Sequence, residues 1–155
     1  MKEVKSVLVV DDDEIARQTI CNTLEDTEYE ITEASDGSEA LEKLAENEYA
    51  AVVCDVKMPG IDGFTVLRKA RKTRNIPFIF VTGYPGDMDE NVIVNELQPF
   101  GFLNKPFDHK ELLLLVKNAV EHYNLTKKRM AFLKDMEKSS DKRIKEITER
   151  LKYII

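Results

Sequence analysis

The stretch SVLVVDDDE, residues 6–14, decides the reading of this sequence. An uncharged, mostly β-branched run leads straight into four acidic residues. A strand with one wet face would alternate apolar and polar; a continuous apolar run has both faces covered, as in a parallel sheet flanked by helices. Sheets of that kind bind ligands in the crevice beyond the carboxyl ends of their strands. The acidic cluster therefore falls where chemistry is expected.

Outward from this stretch the pattern repeats. Ile15, Ala16, Ile20 and Leu24 have helical spacing over residues 14–26, and residues 29–34 alternate like a strand. Asp36-Gly37-Ser38-Glu39 reads as a capping box, with Ala40, Leu41, Leu44 and Ala45 on one face of its helix. Residues 50–54 form another buried strand, and Asp62-Gly63 opens a helix predicted to run to Arg74. PFIFV (77–81) is a fourth strand, residues 91–98 a weaker helix, and residues 100–103 a short fifth strand. Asp108 caps a long last helix. Five βα repeats make an α/β, doubly wound, five-stranded parallel sheet with an extended C-terminal helix.

The strand ends carry a coherent set of groups. Strand one ends in Asp11-Asp12-Asp13-Glu14, strand three in Asp55 and strand four in Thr82-Gly83, and Lys105-Pro106 follows strand five. Converging carboxylates repel one another unless a cation offsets them. Hard oxygen donors suit Mg²⁺. A hydroxyl and an ammonium on the next strands would meet the far oxygens of a phosphoryl group.

The chain has 155 residues, enough for one domain plus an appendage. Its longest apolar runs fall far short of the ~20 residues of a membrane span. The start has no secretory pattern. Cys21 and Cys54 fit neither a disulfide framework nor zinc spacing, and read as buried thiols in a reducing cytoplasm. Residues 1–120 hold 13 Lys and Arg against 23 Asp and Glu, whereas residues 121–155 hold 10 against 6. The acidic body repels nucleic acid. The basic tail reads as the solvated face of a helix, and no nucleic-acid-binding motif accompanies it.

Four segments resemble the response-regulator receiver domain of bacterial two-component signalling, in order and over residues 4–122. They are VLVVDDDE (7–14), CDVKMPGIDGF (54–64), FVTG (80–83) and FLNKPF (102–107). The resemblance implies a flavodoxin-like strand order, 2-1-3-4-5, with a receiver over residues 1–122. It also implies that a sensor histidine kinase donates a phosphoryl group to Asp55. Mg²⁺ would sit among Asp12, Asp55, the Lys57 backbone carbonyl and the phosphoryl group, with Asp11 acting mainly through a water and Asp13 outside that shell. Lys105 would pair with a phosphoryl oxygen. Thr82 would swing toward another, and Phe102 would follow it inward and reshape the face of the fourth helix and fifth strand. A cis bond before Pro106 is usual in the family. Lys57 and Tyr84 stand where the family tunes hydrolysis of the acyl phosphate. The sequence departs from the pattern at Gln98-Pro99, where the fourth helix should end early or be irregular. Tyr84-Pro85-Gly86-Asp87 reads as a mobile loop.

Residues 123–155 read as a helical or coiled-coil tail. Val116, Ala119, Tyr123, Thr126, Met130 and Leu133 step by three and four, and the seam continues through Glu137, Ser140, Ile144, Ile147, Leu151 and Ile154. It suits a parallel homodimer, or a helix folded back on its own body; Ser139-Ser140-Asp141 would equally cap a second short helix. The chain stops within the stripe, which reads as a linker toward a further output or kinase module.

Two other functions fit parts of the pattern. Asp11-x-Asp13 matches a haloacid-dehalogenase-type phosphatase, although Asp87 and Asp89 are a poor match to that family's last acidic motif. A degenerate receiver that only dimerises is the other. His109 and His122 lack the context of a phospho-donor and read as surface histidines near a helix end.

Overall fold

The structure is a computed structural model and describes residues 2–83, 92–138 and 141–153. Tyr84, the 84–87 loop, Asp87, Asp89, the start of the fourth helix at Asn91, Ser139, Ser140 and Ile154 lie outside the described residues.

The elements are β1 Ser6–Val10, α1 Glu14–Thr23, β2 Glu30–Ala34, α2 Gly37–Glu46, β3 Ala51–Cys54, α3 Gly63–Ala70, β4 Phe78–Thr82, a π-helical segment Val92–Leu97, β5 Gly101–Asn104, α4 His109–Glu137 and α5 Lys142–Leu151. All strand pairs are parallel, in the order β2-β1-β3-β4-β5. Alternation along the strands divides the core in two. Leu8, Val10, Val52, Cys54, Phe78 and Phe80 pack under α2 and α3. Val7, Val9, Val53, Ile79, Val81 and Leu103 pack under α1 and α4, against Ile20, Leu24, Leu112 and Val116.

Helix starts follow their caps. Asp13, Asp36, Asp62 and Asp108 each accept a backbone N–H of the first turn. The box at α2 is wider than predicted, because Glu39 reaches back to the N–H and hydroxyl of Ser35 rather than to Asp36. Its carboxyl is held down to about 2 by those hydrogen bonds and by Lys43. α3 ends a turn sooner than the predicted Arg74, with Arg71 at its C-cap. The expected irregularity before Pro99 is present. The Gln98 N–H donates to the carbonyl of Ile93, five residues back, and Gln98 has φ 44.

Of the two forms the sequence offered for the tail, the structure takes the two-helix one. α4 stops at Glu137 and Asp141 caps a separate α5, whose far end returns through an ion pair between Lys152 and Glu137. Val116, Ala119 and Leu133 of the predicted seam are buried within the chain. His122 falls in mid-helix, since α4 runs on 15 residues beyond it. Contacts to the body continue past residue 122. Asn124 exchanges hydrogen bonds with the backbone N–H and carbonyl of Val4, at 2.8 and 2.9 Å. Glu48 accepts from Tyr123 and from Lys127.

Candidate functional site

The site forms where β1 and β3 end side by side. Asp11 is fully buried. Its N–H donates to Ala34 of β2 at 3.2 Å, its carbonyl accepts from Arg17 at 2.8 Å, and its Oδ1 accepts from the Asp13 N–H at 3.0 Å. Asp12 is exposed beside it. On the next strand the Asp55 N–H donates to Val10 at 2.9 Å, and its Oδ1 accepts from the Val56 N–H at 2.7 Å. Asp55 is 8% exposed, so its carboxylate can be approached but is not fully hydrated. Donor oxygens of Asp11, Asp12 and Asp55 lie within 4.8 Å of one another.

Lys105 supplies the opposing charge. Its backbone N–H bonds the carbonyl of Thr82 at 2.7 Å, joining the ends of β4 and β5, and the peptide bond to Pro106 is cis. Its Nζ lies 2.8 Å from Asp11 Oδ2 and 3.3 Å from Asp55 Oδ2. Burial pushes the Asp55 carboxyl up, the neighbouring Asp11 adds to this, and Lys105 opposes both. Burial pulls the Lys105 ammonium down, but Asp11 and Asp55 together raise it above its ordinary value.

Thr82 is fully buried at the end of β4. Phe102 is half-buried, its ring 6.4 Å from that of Phe80. Lys57 is exposed beyond β3. Asp13 is turned away: its side chain caps α1 by accepting the Ile15 N–H at 3.0 Å. Asp11-x-Asp13 thus does not offer two carboxylates to one crevice, as the phosphatase reading needs. His109 and His122 are exposed, with His109 Nδ1 2.5 Å from the Thr23 hydroxyl.

Two supports escape the sequence reading. Arg17 braces the Asp11 carbonyl, and its only sequence signal is a basic residue in the first turn of α1. Gly63 lets the start of α3 approach the backbone of Asp55, which the Asp-Gly pair hinted at only as a helix opening.

A parallel sheet in this order, with three clustered carboxylates and a bridging lysine at its carboxyl edge, defines the CheY-like class of receivers. Residues 7–117 match the response regulator receiver domain family. The sensor kinase CckA of Brucella abortus is 42% identical over 119 residues, which span 75% of this chain and 12% of that protein. The aerobic respiration control protein ArcA of Escherichia coli K12 is 30% identical over 114 residues, 74% of this chain and 48% of ArcA. Among solved structures, a CheY-like receiver domain protein from Methanospirillum hungatei superposes with a TM-score of 0.71 at 28% identity, covering 78% of this chain and 97% of the other. An adenylate cyclase structure from Rhodopirellula baltica reaches 0.77 at 29% identity, covering 84% and 98%. This chain belongs to the response regulator receiver domain family, and it spans half or less of the length of these curated relatives.

Proposed function

We propose that this chain is a phospho-accepting switch of a two-component system. A carboxylate oxygen of Asp55 attacks the phosphorus of a phosphohistidine on a sensor kinase. The oxygen–phosphorus bond forms, the phosphorus–nitrogen bond breaks, and the departing imidazole nitrogen recovers a proton. The observation that carries this is the grouping of Asp11, Asp12 and Asp55 within 4.8 Å, with Lys105 across two of them.

The donor set fits Mg²⁺: all three side chains offer hard oxygens, and one ammonium leaves their charge in excess. Asp11, Asp12, Asp55 and the Lys57 carbonyl would hold the ion, which when bound offsets the charge between these carboxylates and incoming phosphoryl oxygens. Lys105 pairs with one phosphoryl oxygen. The Thr82 hydroxyl turns toward another, and Phe102 moves inward behind it. The face of residues 92–97 and β5 then shifts between two populations under the bias of one covalent group.

Residues 1–122 act as the receiver and residues 123–155 link it to a further module, a reading supported by the longer relatives. Two free thiols, Cys21 and Cys54, suit the cytoplasm. Among the described residues no helix is long and apolar enough to cross a membrane.

The test is intact-mass measurement after incubation with acetyl phosphate and Mg²⁺. Wild type gains one phosphoryl group; Asp55→Asn and wild type in EDTA gain none. Labelling that survives Asp55→Asn, or that Asp11→Asn alone abolishes with turnover of substrate, overturns the proposal in favour of another nucleophile.

A further inference from the structure

A cavity opens between the end of α3, the end of the π-helical segment and α4. It lies at the amino ends of β4 and β5, the opposite edge of the sheet from Asp55. Its volume is about 420 Å³, within the range of small-molecule sites. Arg71, Asn75, Gln98, His122 and Thr126 line it with polar groups, and Phe100 supplies an aromatic wall. Among the described residues no carboxylate lines it.

That absence has a source in the sequence. The chain carries 29 Asp and Glu, yet none falls within residues 63–86, 97–107 or 122–134. The fold brings these three stretches together at the cavity, whereas the groove at Lys5 and Lys117 is lined by Glu3, Glu28 and Glu121 as well. Tyr123, also in the cavity wall, donates to Glu48, but Lys127 answers that charge at 2.8 Å. The field inside the cavity therefore favours an anion, although the molecule as a whole is acidic.

Arg71 is the cation placed to receive it. A guanidinium has five N–H donors. Arg71 gives one to the carbonyl of Leu97 and one, at 2.7 Å, to that of Gln98, and its Nε is buried without a hydrogen-bond partner among the described residues. No carboxylate pairs with it among the described residues, and burial pulls its pKa down. A guanidinium with open N–H groups and no counter-charge suits an oxyanion, which its fork can bind through two oxygens. The rings of Phe100 and His122 are 5.7 Å apart, a surface on which a flat ring can stack. His122 and Thr126 stand one turn apart on the same face of α4.

We infer that this cavity binds a small molecule in which a phosphate or carboxylate group adjoins a flat ring. The oxyanion takes the open N–H groups of Arg71, and the ring lies against Phe100 and His122. Arg71 also holds the carbonyls that end the π-helical segment, so the ligand fastens that segment. The site is remote from Asp55 and does not depend on the phospho-acceptor reading.

An NMR titration of the full chain in EDTA tests it, with adenosine monophosphate and benzoate as separate probes. At least one binds with a Kd below about 1 mM. It shifts the side-chain amides of Asn75 and Gln98 and leaves the backbone amides of Asp55 and Val56 unmoved. A response to the nucleotide alone identifies phosphate as the anion, a response to benzoate alone carboxylate, and a response to both the shared chemistry. Adenosine and benzamide, which lack the charge, bind about tenfold more weakly. Arg71→Met weakens binding about tenfold. Because that change also frees the end of the segment, Asn75→Ala and His122→Ala serve beside it: both residues are exposed, and each variant binds more weakly with its circular dichroism unchanged. No shift with either probe overturns the inference, as do shifts centred on Asp55 or on the Lys5 groove, or an affinity unchanged in all three variants. Loss of acetyl phosphate labelling with the titration unchanged removes only the phospho-acceptor reading.

Discussion

A Cβ on Gly63 would lie 2.2 Å from the carbonyl oxygen of Asp55. The obstruction is backbone, so no rotamer relieves it. The Gly63 N–H also donates to the Val56 carbonyl at 2.8 Å, which seats the first turn of α3 directly against the acceptor segment. Gly63→Ala should cost about 3 kcal/mol, the upper end of overpacking, and slow phosphorylation of Asp55. Gly60 is the control. It has φ +80 and open space around it, so Gly60→Ala should cost about 1 kcal/mol of backbone strain. Urea denaturation of both variants checks the order; a smaller loss at Gly63 means that α3 does not support the site.

Lys105 holds two carboxylates together that would otherwise repel. Asp11 is wholly buried and Asp55 nearly so. Lys105→Met should therefore destabilise the protein in EDTA by about 2 kcal/mol, the cost of leaving buried charge without its partner. Mg²⁺ should then raise the stability of the variant more than that of wild type. Thermal melts with and without the ion test this; an equal response in the two proteins would mean that lysine and ion do not answer the same charge.

Much of this arrangement is legible in the sequence because both signals are local. An unbroken apolar run such as Val7–Val10 demands cover on both faces, and the acidic residues that follow must lie at the sheet's carboxyl edge. Gln98-Pro99 announces an irregular helix end for a steric reason that needs no tertiary context. The tail is different. A period near 3.5 can be drawn through Val116, Ala119 and Leu133, or through Leu114, Leu125 and Phe132 on the other side. Which stripe meets the body depends on Val4, Glu48 and α5, remote segments that periodicity does not see. Gly63 escaped for a related reason: what a glycine must accommodate lies across space, on Asp55.

Asn124 makes a prediction about where the receiver ends. Its amide bonds both polar backbone groups of Val4 and the carbonyl of Val120, at 2.8 to 2.9 Å, and it is 7% exposed. A chain cut after residue 122 loses this clamp and the Glu48 contacts, whereas one cut after residue 128 keeps them. The shorter piece should be less stable by about 2 kcal/mol. Asn124→Ala in the full chain should reproduce most of that loss, and backbone hydrogen exchange at Val4 should accelerate in both. Equal stability of the two truncations would show that the clamp contributes nothing.

The two thiols should respond to pH in different ways. Partial burial and then Glu33 push the Cys21 thiol up to about 11. Only the thiolate reacts, so its alkylation should rise about tenfold per pH unit as far as pH 10, where an ordinary thiol near 8.5 would already have levelled off. Complete burial, reinforced by Asp55 and Asp11, holds Cys54 protonated far above the usual range. Cys54 should react only after unfolding. Iodoacetamide labelling read by peptide mass spectrometry separates the two, and a plateau for Cys21 near pH 9 contradicts the assignment.

Arg71 ties α3 to the π-helical segment. Its guanidinium donates to the carbonyl of Leu97 and, at 2.7 Å, to that of Gln98, while its Nε is buried without a hydrogen-bond partner among the described residues. These carbonyls close the segment: Gln98, just after it, has positive φ, and the next residue, Pro99, offers no N–H. The side chain therefore substitutes for backbone bonds that the segment cannot make. Arg71→Met keeps most of the apolar stem but removes the donors. Two carbonyls lose their partner, so the end of the segment should open more often, and hydrogen exchange over residues 92–98 should quicken at least tenfold, equivalent to about 1.4 kcal/mol. The sheet should keep its protection, because no strand bonds through Arg71. If residues 92–98 belong to the face that responds to Asp55, the variant should also shift how beryllofluoride with Mg²⁺ alters exchange there, without losing acetyl phosphate labelling. Unchanged exchange in the segment would show that its shape is set by Gln98 and Pro99 alone.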